Sequence, residues 1–148
     1  MRNAIGFVQA FLDQGASGVL DLLTFSLYSP EAWADKFLGK EISAGRHVVI
    51  LVSEEEEGLW LHTRGMLAFG RPDLSLRGAD RETAPLLKEI LDQMILYSGR
   101  GVLFKGTYTL HTEGGEAWRV RADLVEDYDN DDFNNDWCEI SVLGRADG

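Results

Sequence analysis

Four of the chemically active side chains within residues 61–78, LHTRGMLAFGRPDLSLRG, could form a site. They are His62, Arg64, Arg71 and Asp73. Each arginine can bind a carboxylate or a phosphate through two parallel hydrogen bonds, and the aspartate, beside a rigid proline, can orient one of them. The imidazole can act as an acid or a base. The pattern predicts an anion-recognition pocket over residues 62–73.

A purely structural role for the same stretch stays open. Asp and Pro are common in tight turns, so Arg71 and Asp73 can simply close a turn, or pair with each other or with Glu82. The stretch is typical of a strand that enters a Gly-Arg-Pro-Asp turn and leaves as a second strand. Turns held on a rigid frame often carry functional residues.

The three histidines, His47, His62 and His111, lie on three predicted strands. Three imidazoles on one sheet face could hold a catalytic zinc ion, but no helical pair of ligands and no Cys/His spacing supports such a site. A histidine that is hydrogen-bonded within a sheet, or one that works as an acid or base beside Arg64, is a simpler interpretation. His111 therefore remains a ligand-binding candidate together with His62.

Residues 127–139 contain the densest group of carboxylates. Asp127, Asp129 and Asp131 repeat at every second position, as the first oxygen ligands of an EF-hand calcium loop do. The match then fails, because Asp132 occupies the position that requires glycine and the closing glutamate comes one residue late. An acidic loop between two strands is the favoured interpretation, and weak binding of Ca²⁺ or Mg²⁺ is the alternative.

No other catalytic motif accompanies these residues, and the sequence predicts no cofactor. None of the serines lies in a Gly-x-Ser-x-Gly elbow, and the strings GASG and SGRG lack the lysine of a phosphate-binding loop. The single cysteine, Cys138, has mostly acidic and apolar neighbours, which indicates a buried structural thiol. A lone cysteine also excludes an intrachain disulfide, as expected in a reducing compartment.

The chain carries 25 acidic and 14 basic residues, a formal net charge of −11. Because such a field repels phosphate backbones and anionic lipids, we expect neither nucleic acid nor membrane as a partner. The absence of a signal-peptide cleavage site and of long apolar runs predicts a cytoplasmic protein. An acidic surface can serve solubility, bind a basic protein or mimic a polyanion. The oligomeric state does not follow from the residues.

With 148 residues, 45% of them hydrophobic, the chain predicts one domain over residues 1–148 with one core. Helices are predicted over residues 3–14, 30–38 and 83–99, with Asn3 and Ser29 as N-caps. Strands are predicted at 18–28, at 46–53, on both sides of the turn in 61–78, and at 105–112, 117–124 and 137–144. The VVILV run within 46–53 is apolar on both faces, which predicts a central strand.

These elements predict an α+β fold: an antiparallel, or mixed, sheet of five to seven strands with about three helices packed mainly on one face. The other face is a possible ligand surface if it stays partly open. A two-residue Gly114-Gly115 turn between the strands at 105–112 and 117–124 would place Trp118 opposite His111 and Val120 opposite Thr109.

Two strings resemble a known family. GASGVLDLLTFSLYSPEAW at residues 15–33 and WLHTRGMLAFGRPDLS at residues 60–75 are similar to strings that a family of bacterial cytoplasmic domains of unknown function carries in this order. The resemblance implies a bacterial source. It does not extend to the acidic C-terminal loop and supplies no catalytic residues.

The sparse catalytic chemistry leans against an enzyme. It favours a non-enzymatic protein-binding or regulatory module whose acidic surface engages a basic protein, as immunity-type or antitoxin-like proteins do. The alternative is a small enzyme or small-molecule binder in which Arg64 and Arg71 hold an anionic group and His62, His111 or Asp73 lies near the reacting atom. A metal-dependent role is the third hypothesis.

Overall fold

The computed structural model describes residues 1–39, 41–127 and 130–146. The architecture is α+β with a mostly antiparallel sheet, which confirms the predicted fold class. In chain order the elements are α1 (Arg2–Asp13), β1 (Val19–Asp21), β2 (Ser26–Tyr28), α2 (Pro30–Phe37), α3 (Ala44–His47), β3 (Val49–Glu55), β4 (Gly58–Arg64), a 3₁₀ helix (Met66–Phe69), β5 (Asp73–Ala79), α4 (Ala84–Gly99), β6 (Gly106–His111), β7 (Ala117–Val125) and β8 (Trp137–Arg145).

Six strands form one mixed sheet in the order β3-β4-β5-β8-β7-β6. In the described chain, β5 and β8 are the only parallel neighbours, and they pair over residues 73–75 and 137–139. The chain between them contains α4 and the β6–β7 hairpin, which is long enough for the crossover that parallel strands need. β1 and β2 form a separate antiparallel hairpin.

The main core lies between α4 and one face of the sheet. α4 buries a broad apolar stripe that includes Leu91 and Met94, and this stripe packs against alternate strand residues such as Leu61 and Leu74. Because successive strand residues point to opposite faces, the side chains between these positions face away from α4. This second face of the sheet carries the chemically active residues of β4 and β5.

α1 and α2 pack with the β1–β2 hairpin around a smaller core of Ile5, Leu12, Trp33 and Phe37. α1 begins at Arg2 rather than at the predicted residue 3, so Met1 and not Asn3 is its N-cap. No helix in the described ranges is long and apolar enough to cross a membrane.

The predicted start of α2 is confirmed. Ser29 Oγ accepts a hydrogen bond of 3.2 Å from the Ala32 N–H, and Pro30 occupies the first turn, where its missing N–H costs nothing. At the other end of the helix, Arg46 Nε donates to the Lys36 carbonyl at 3.2 Å. A cation at this position is favourable because the last carbonyls of a helix carry partial negative charge.

β3 is an edge strand, so the prediction of a central strand from the VVILV run was wrong. Residues 44–47 form α3, and the strand begins only at Val49. The apolar run starts with Val48, which belongs to the main core before the strand begins, whereas Val52 is 56% exposed. A run of apolar residues therefore does not by itself show whether its strand lies at the centre or at the edge of a sheet.

The β6–β7 register differs by one residue from the prediction. Leu110 pairs with Trp118 and His111 with Ala117. The connecting loop has three residues: Thr112 N–H donates to the Glu116 carbonyl at 2.9 Å, and Gly115 has a φ of 81°. Such three-residue loops place a glycine in the left-handed conformation. The shift aligns Trp118 with Leu110 on the face that packs against α4.

Candidate functional site

Residues 58–79 fold as β4, the 3₁₀ helix and β5, a longer connection than the predicted four-residue turn. Gly65 and Gly70 flank the 3₁₀ helix with φ values of 107° and 64°, which glycine adopts without strain. On the neighbouring strands His62 lies opposite Ser75. The alternation of strand side chains places His62 with Arg64 on the sheet face away from α4.

Asp73, at the start of β5, is 3% exposed, and both of its carboxylate oxygens accept hydrogen bonds. Thr63 Oγ1 donates at 2.8 Å, the Met66 N–H at 3.3 Å and Asn135 Nδ2 at 3.0 Å. Burial raises the pKa of Asp73 even though these three hydrogen bonds oppose the rise. The carboxylate therefore fastens β4, the 3₁₀ helix and residues 130–136 to the start of β5.

The buried guanidinium of Arg64 joins β4 to the turn of the β1–β2 hairpin and to residues 130–136. Nε donates to the Leu23 carbonyl at 3.4 Å, Nη1 donates to the Asp132 carbonyl, and the guanidinium carbon lies 4.2 Å from the ring centroid of Phe25. The space beside Arg64 and Asp73 is about 10 Å³. Because one water molecule needs about 10–15 Å³, a substrate does not fit between these two side chains in this conformation.

His62 is packed among aromatic rings. Its ring stacks on that of Trp60 with a centroid distance of 3.9 Å, and Phe133 contacts both rings edge-on at 5.7 and 5.8 Å. Burial lowers the pKa of His62, and the nearby positive charges of Arg64 and Arg77 lower it further. The imidazole is therefore neutral at pH 7.

Ser75 and Glu139 lie in a row with His62 across neighbouring strands. Ser75 of β5 pairs with His62 of β4 on one side and with Glu139 of β8 on the other. A serine, a histidine and a glutamate are the residue types of a hydrolase triad, but their hydrogen bonds do not connect them in the order that a triad needs. Trp60 Nε1 donates to Ser75 Oγ at 3.0 Å, and the Ser75 hydroxyl lowers the pKa of Glu139, against the larger effect of burial, which raises it. A nucleophile needs a base within hydrogen-bond reach, and the described contacts place no histidine nitrogen on Ser75.

The remaining predicted ligand-binding residues lie elsewhere. Arg71 is half-buried, and its guanidinium lies near Gly101, just past the end of α4. His111 is exposed on β6, four strands away from β4 in the sheet order. At about 4.8 Å per strand this separation is roughly 19 Å. The structure therefore brings His62, Arg64 and Asp73 together but leaves Arg71 and His111 apart from them.

The candidate metal ligands do not form a described site. Asp129 lies outside the described residues, and Asp131 is exposed. Within residues 1–39, 41–127 and 130–146, no three His, Cys, Asp or Glu side chains converge in a way that could hold a metal ion. Cys138 is buried, as predicted, and burial raises the pKa of its thiol to about 11.

The outer side of the β1–β2 hairpin is apolar. Four large side chains there are between 59% and 77% exposed: Leu20, Leu22, Phe25 and Leu27. Leu20 and Leu27 lie directly opposite each other on the two strands, while Leu22 and Phe25 belong to the turn. We call these four residues the hairpin face. Sequence analysis did not single them out, because a short apolar hairpin resembles a core segment.

Carboxylates cluster at the β3–β4 turn and in residues 130–136. The acidic rim consists of Glu54, Glu55, Glu56, Glu57, Asp131 and Asp132, all of which are exposed. The Arg77 guanidinium joins its two halves, since it pairs with Glu55 and lies 3.8 Å from Asp132 Oδ2. Arg81 pairs with Glu54. Six carboxylates thus face two arginines, and the rim stays negative.

The hairpin face meets the acidic rim at Asp132, because Arg64 contacts both the Phe25 ring and the Asp132 carbonyl, while the glutamates of the rim lie at the other end of β4. No family model matches the chain, and searches of the curated proteins and of the solved structures found no match. The family resemblance of the two sequence strings therefore stays a prediction.

Proposed function

We propose that this protein is a non-enzymatic binding module that engages a basic protein partner through the hairpin face and the acidic rim. The observation that carries the proposal is the contact of Arg64 with both Phe25 and Asp132, which brings the hairpin face beside the Asp132 end of the acidic rim. A basic partner with apolar side chains matches both parts of this surface.

Burial of the hairpin face would favour association with a partner. Contiguous apolar side chains on a soluble domain mark interaction sites or aggregation risks. Fully burying one Leu or Phe side chain contributes about 1.5–3 kcal/mol, so even partial burial of four such residues offsets much of the entropic cost of association. Leu20 and Leu27, directly opposite each other, form the centre of this contact.

The acidic rim supplies selectivity. Its net charge attracts a basic surface, accelerates the encounter and disfavours acidic competitors. Exposed charges of this kind are screened by salt, so association must weaken as ionic strength rises.

The buried chemistry supports binding rather than catalysis. Asp73 accepts hydrogen bonds from three protein donors, Arg64 donates to two backbone carbonyls, and Phe133 covers His62. These groups hold the β1–β2 hairpin and residues 130–136 against the sheet. An enzyme would need some of them within reach of a substrate.

The proposal can be tested with two synthetic peptides of equal length, one alternating Lys and Leu and one alternating Glu and Leu. Fluorescence anisotropy should detect binding of the Lys/Leu peptide, at least tenfold weaker at 300 mM than at 50 mM NaCl, and no binding of the Glu/Leu peptide. Salt-independent binding, or equal binding of both peptides, would contradict the proposal.

Two variants identify the surface. The double change Leu20→Ser and Leu27→Ser should weaken binding of the Lys/Leu peptide at least tenfold. Leu103→Ser is the matched control, because Leu103 is equally exposed but lies between α4 and β6. If the control weakens binding as much as the double variant does, the hairpin face is not the site.

A further inference from the structure

We propose that the open cavity between α1, α2 and the inner side of the β1–β2 hairpin binds a small apolar amine. The cavity has a volume of about 310 Å³. Ligand sites in proteins begin at about 300 Å³, so the space suits a molecule with a single ring or a short alkyl chain. The cavity is separate from the hairpin face and the acidic rim, so the proposed function does not require it.

The wall of the cavity is mostly apolar. Ile5 and Val8 of α1 line one side, and Trp33 and Phe37 of α2 line the other. The two aromatic rings stack with a centroid distance of 4.1 Å and an angle of 27°. They offer a flat surface for an apolar body, and the face of an aromatic ring also attracts an ammonium group.

Two side chains of the wall, Asp21 and His47, offer acceptors to a donor ligand, while the buried Trp33 Nε1 is a donor without a described partner. Asp21 accepts hydrogen bonds from the Leu23 N–H and Thr24 Oγ1, both at 2.9 Å. A carboxylate has about four lone-pair positions, so it can accept more. Among the described residues, no lysine or arginine lines the cavity; Met1, with its amino group, lies in the wall but forms no ion pair with Asp21. The carboxylate charge therefore remains for a cation.

His47 adds a second acceptor to the wall. Its Nδ1 lies 2.9 Å from the Ser43 carbonyl oxygen, which can only accept, so Nδ1 carries the proton and Nε2 presents a lone pair when the ring is neutral. Nε2 is buried and has no hydrogen-bond partner within the described part of the chain. A buried polar group without a partner is costly, and a donor that approaches through the cavity would relieve that cost.

The charge requirement can be tested with three probes of similar shape: 2-phenylethylamine, 2-phenylethanol and 3-phenylpropionate. Isothermal titration calorimetry should show the amine binding at least tenfold more tightly than the alcohol, and no binding of the carboxylate. Equal binding of amine and carboxylate, or no binding of the amine up to 10 mM, would overturn the proposal.

Variants locate the binding. Asp21→Asn should reduce the affinity for the amine to that for the alcohol. Because Asp21 also supports the hairpin turn, a second variant is needed: Ala4→Trp, at an exposed cavity-lining position of α1, should block all three probes. Ala10→Trp, on the same helix but away from the cavity, is its control. Full amine binding by Ala4→Trp would contradict the assignment.

The cavity and the hairpin face can be separated experimentally. Asp21 lies on the inner side of the hairpin, while its neighbour Leu20 points outward. The double variant Leu20→Ser and Leu27→Ser should keep its affinity for 2-phenylethylamine while losing the Lys/Leu peptide. Failure of the amine proposal would thus leave the proposed function untouched.

Discussion

The Asp73 carboxylate accepts a hydrogen bond of 3.0 Å from Asn135 Nδ2, and the same nitrogen donates to the Arg71 carbonyl at 2.7 Å. One amide group thus joins the start of β5 to residues 130–136, the segment that contributes Asp131 and Asp132 to the acidic rim and whose Phe133 covers His62. The aspartate that sequence analysis assigned to ligand binding has a role in holding that segment in place.

Replacing Asp73 should therefore cost stability. Asp73→Asn keeps the shape but places an amide N–H₂ against protein donors, and one buried unsatisfied group costs about 1–3 kcal/mol in the free energy of unfolding. Asp123→Asn, at an exposed ion pair with Arg121, is the control and should change it by about 0.5 kcal/mol at most. Urea denaturation measures both. Equal stability of Asp73→Asn and wild type would contradict the assigned role.

Removing the ring that covers His62 should be more costly. Phe133 is fully buried and also stacks on Trp137 with a centroid distance of 5.1 Å. Phe133→Ala should lower the free energy of unfolding by about 3–5 kcal/mol, as large-to-small core substitutions do. The control Phe7→Ala removes a mostly exposed ring on α1 and should cost about 0.5 kcal/mol. A loss similar to that of the control would show that residues 130–136 do not pack on the sheet.

Glu139 should make stability fall as the pH rises. Burial raises its pKa above 4.5, so the folded protein binds this proton more tightly than the unfolded chain does. The cost of the buried charge is absent below pH 4.5 and complete above the folded-state pKa. The stability of Glu139→Gln relative to wild type should therefore increase from pH 4 to pH 8 in urea titrations. A constant difference across this range would contradict the raised pKa.

Asp80 should behave in the opposite way. The Thr83 N–H and the Thr83 hydroxyl donate to it at 2.7 and 2.8 Å and lower its pKa. Its stabilising effect is present above pH 3.8 and is lost as the pH falls through the lowered pKa. Asp80→Asn should thus be less stable than wild type at pH 7, with a difference that narrows in acid. A difference that widens in acid would refute this assignment.

Replacing glycine with alanine should have opposite effects on stability at positions 99 and 6. A Cβ on Gly99 would lie 2.5 Å from Ala44 Cβ, where α3 and α4 touch, whereas nothing lies within 4 Å of a Cβ on Gly6 in α1. Gly99→Ala should destabilise by about 1–3 kcal/mol through overpacking. Gly6→Ala should stabilise by about 0.5–1 kcal/mol through helix propensity. Thermal unfolding compares them, and a stabilised Gly99→Ala would show that α3 does not pack on α4 in this way.

Local signals in the sequence predicted the elements that depend on local contacts. Ser29 and Pro30 mark the start of α2, and Gly15 lies just past α1 with a φ of 97°. Non-local relations were less accessible. The parallel pairing of β5 with β8 brings Ser75 beside Glu139, and residues so far apart in sequence carry no local signal of that contact.

The candidate site was predictable in part. Alternation along β4 alone suffices to place His62 and Arg64 on one face. Their burial was not predictable, because it depends on where Phe25 and Phe133 pack. Sequence alone also could not show that the hairpin face is exposed, since exposure depends on which neighbours a segment lacks.

The most direct test of the proposed function is an NMR titration of the ¹⁵N-labelled protein with the Lys/Leu peptide. The account predicts that amide chemical shifts change along the β1–β2 hairpin and at the acidic rim, while those of α4 and of the β6–β7 hairpin stay constant. Shift changes centred on α4 or on the β6–β7 hairpin, or spread evenly over the chain, would contradict it.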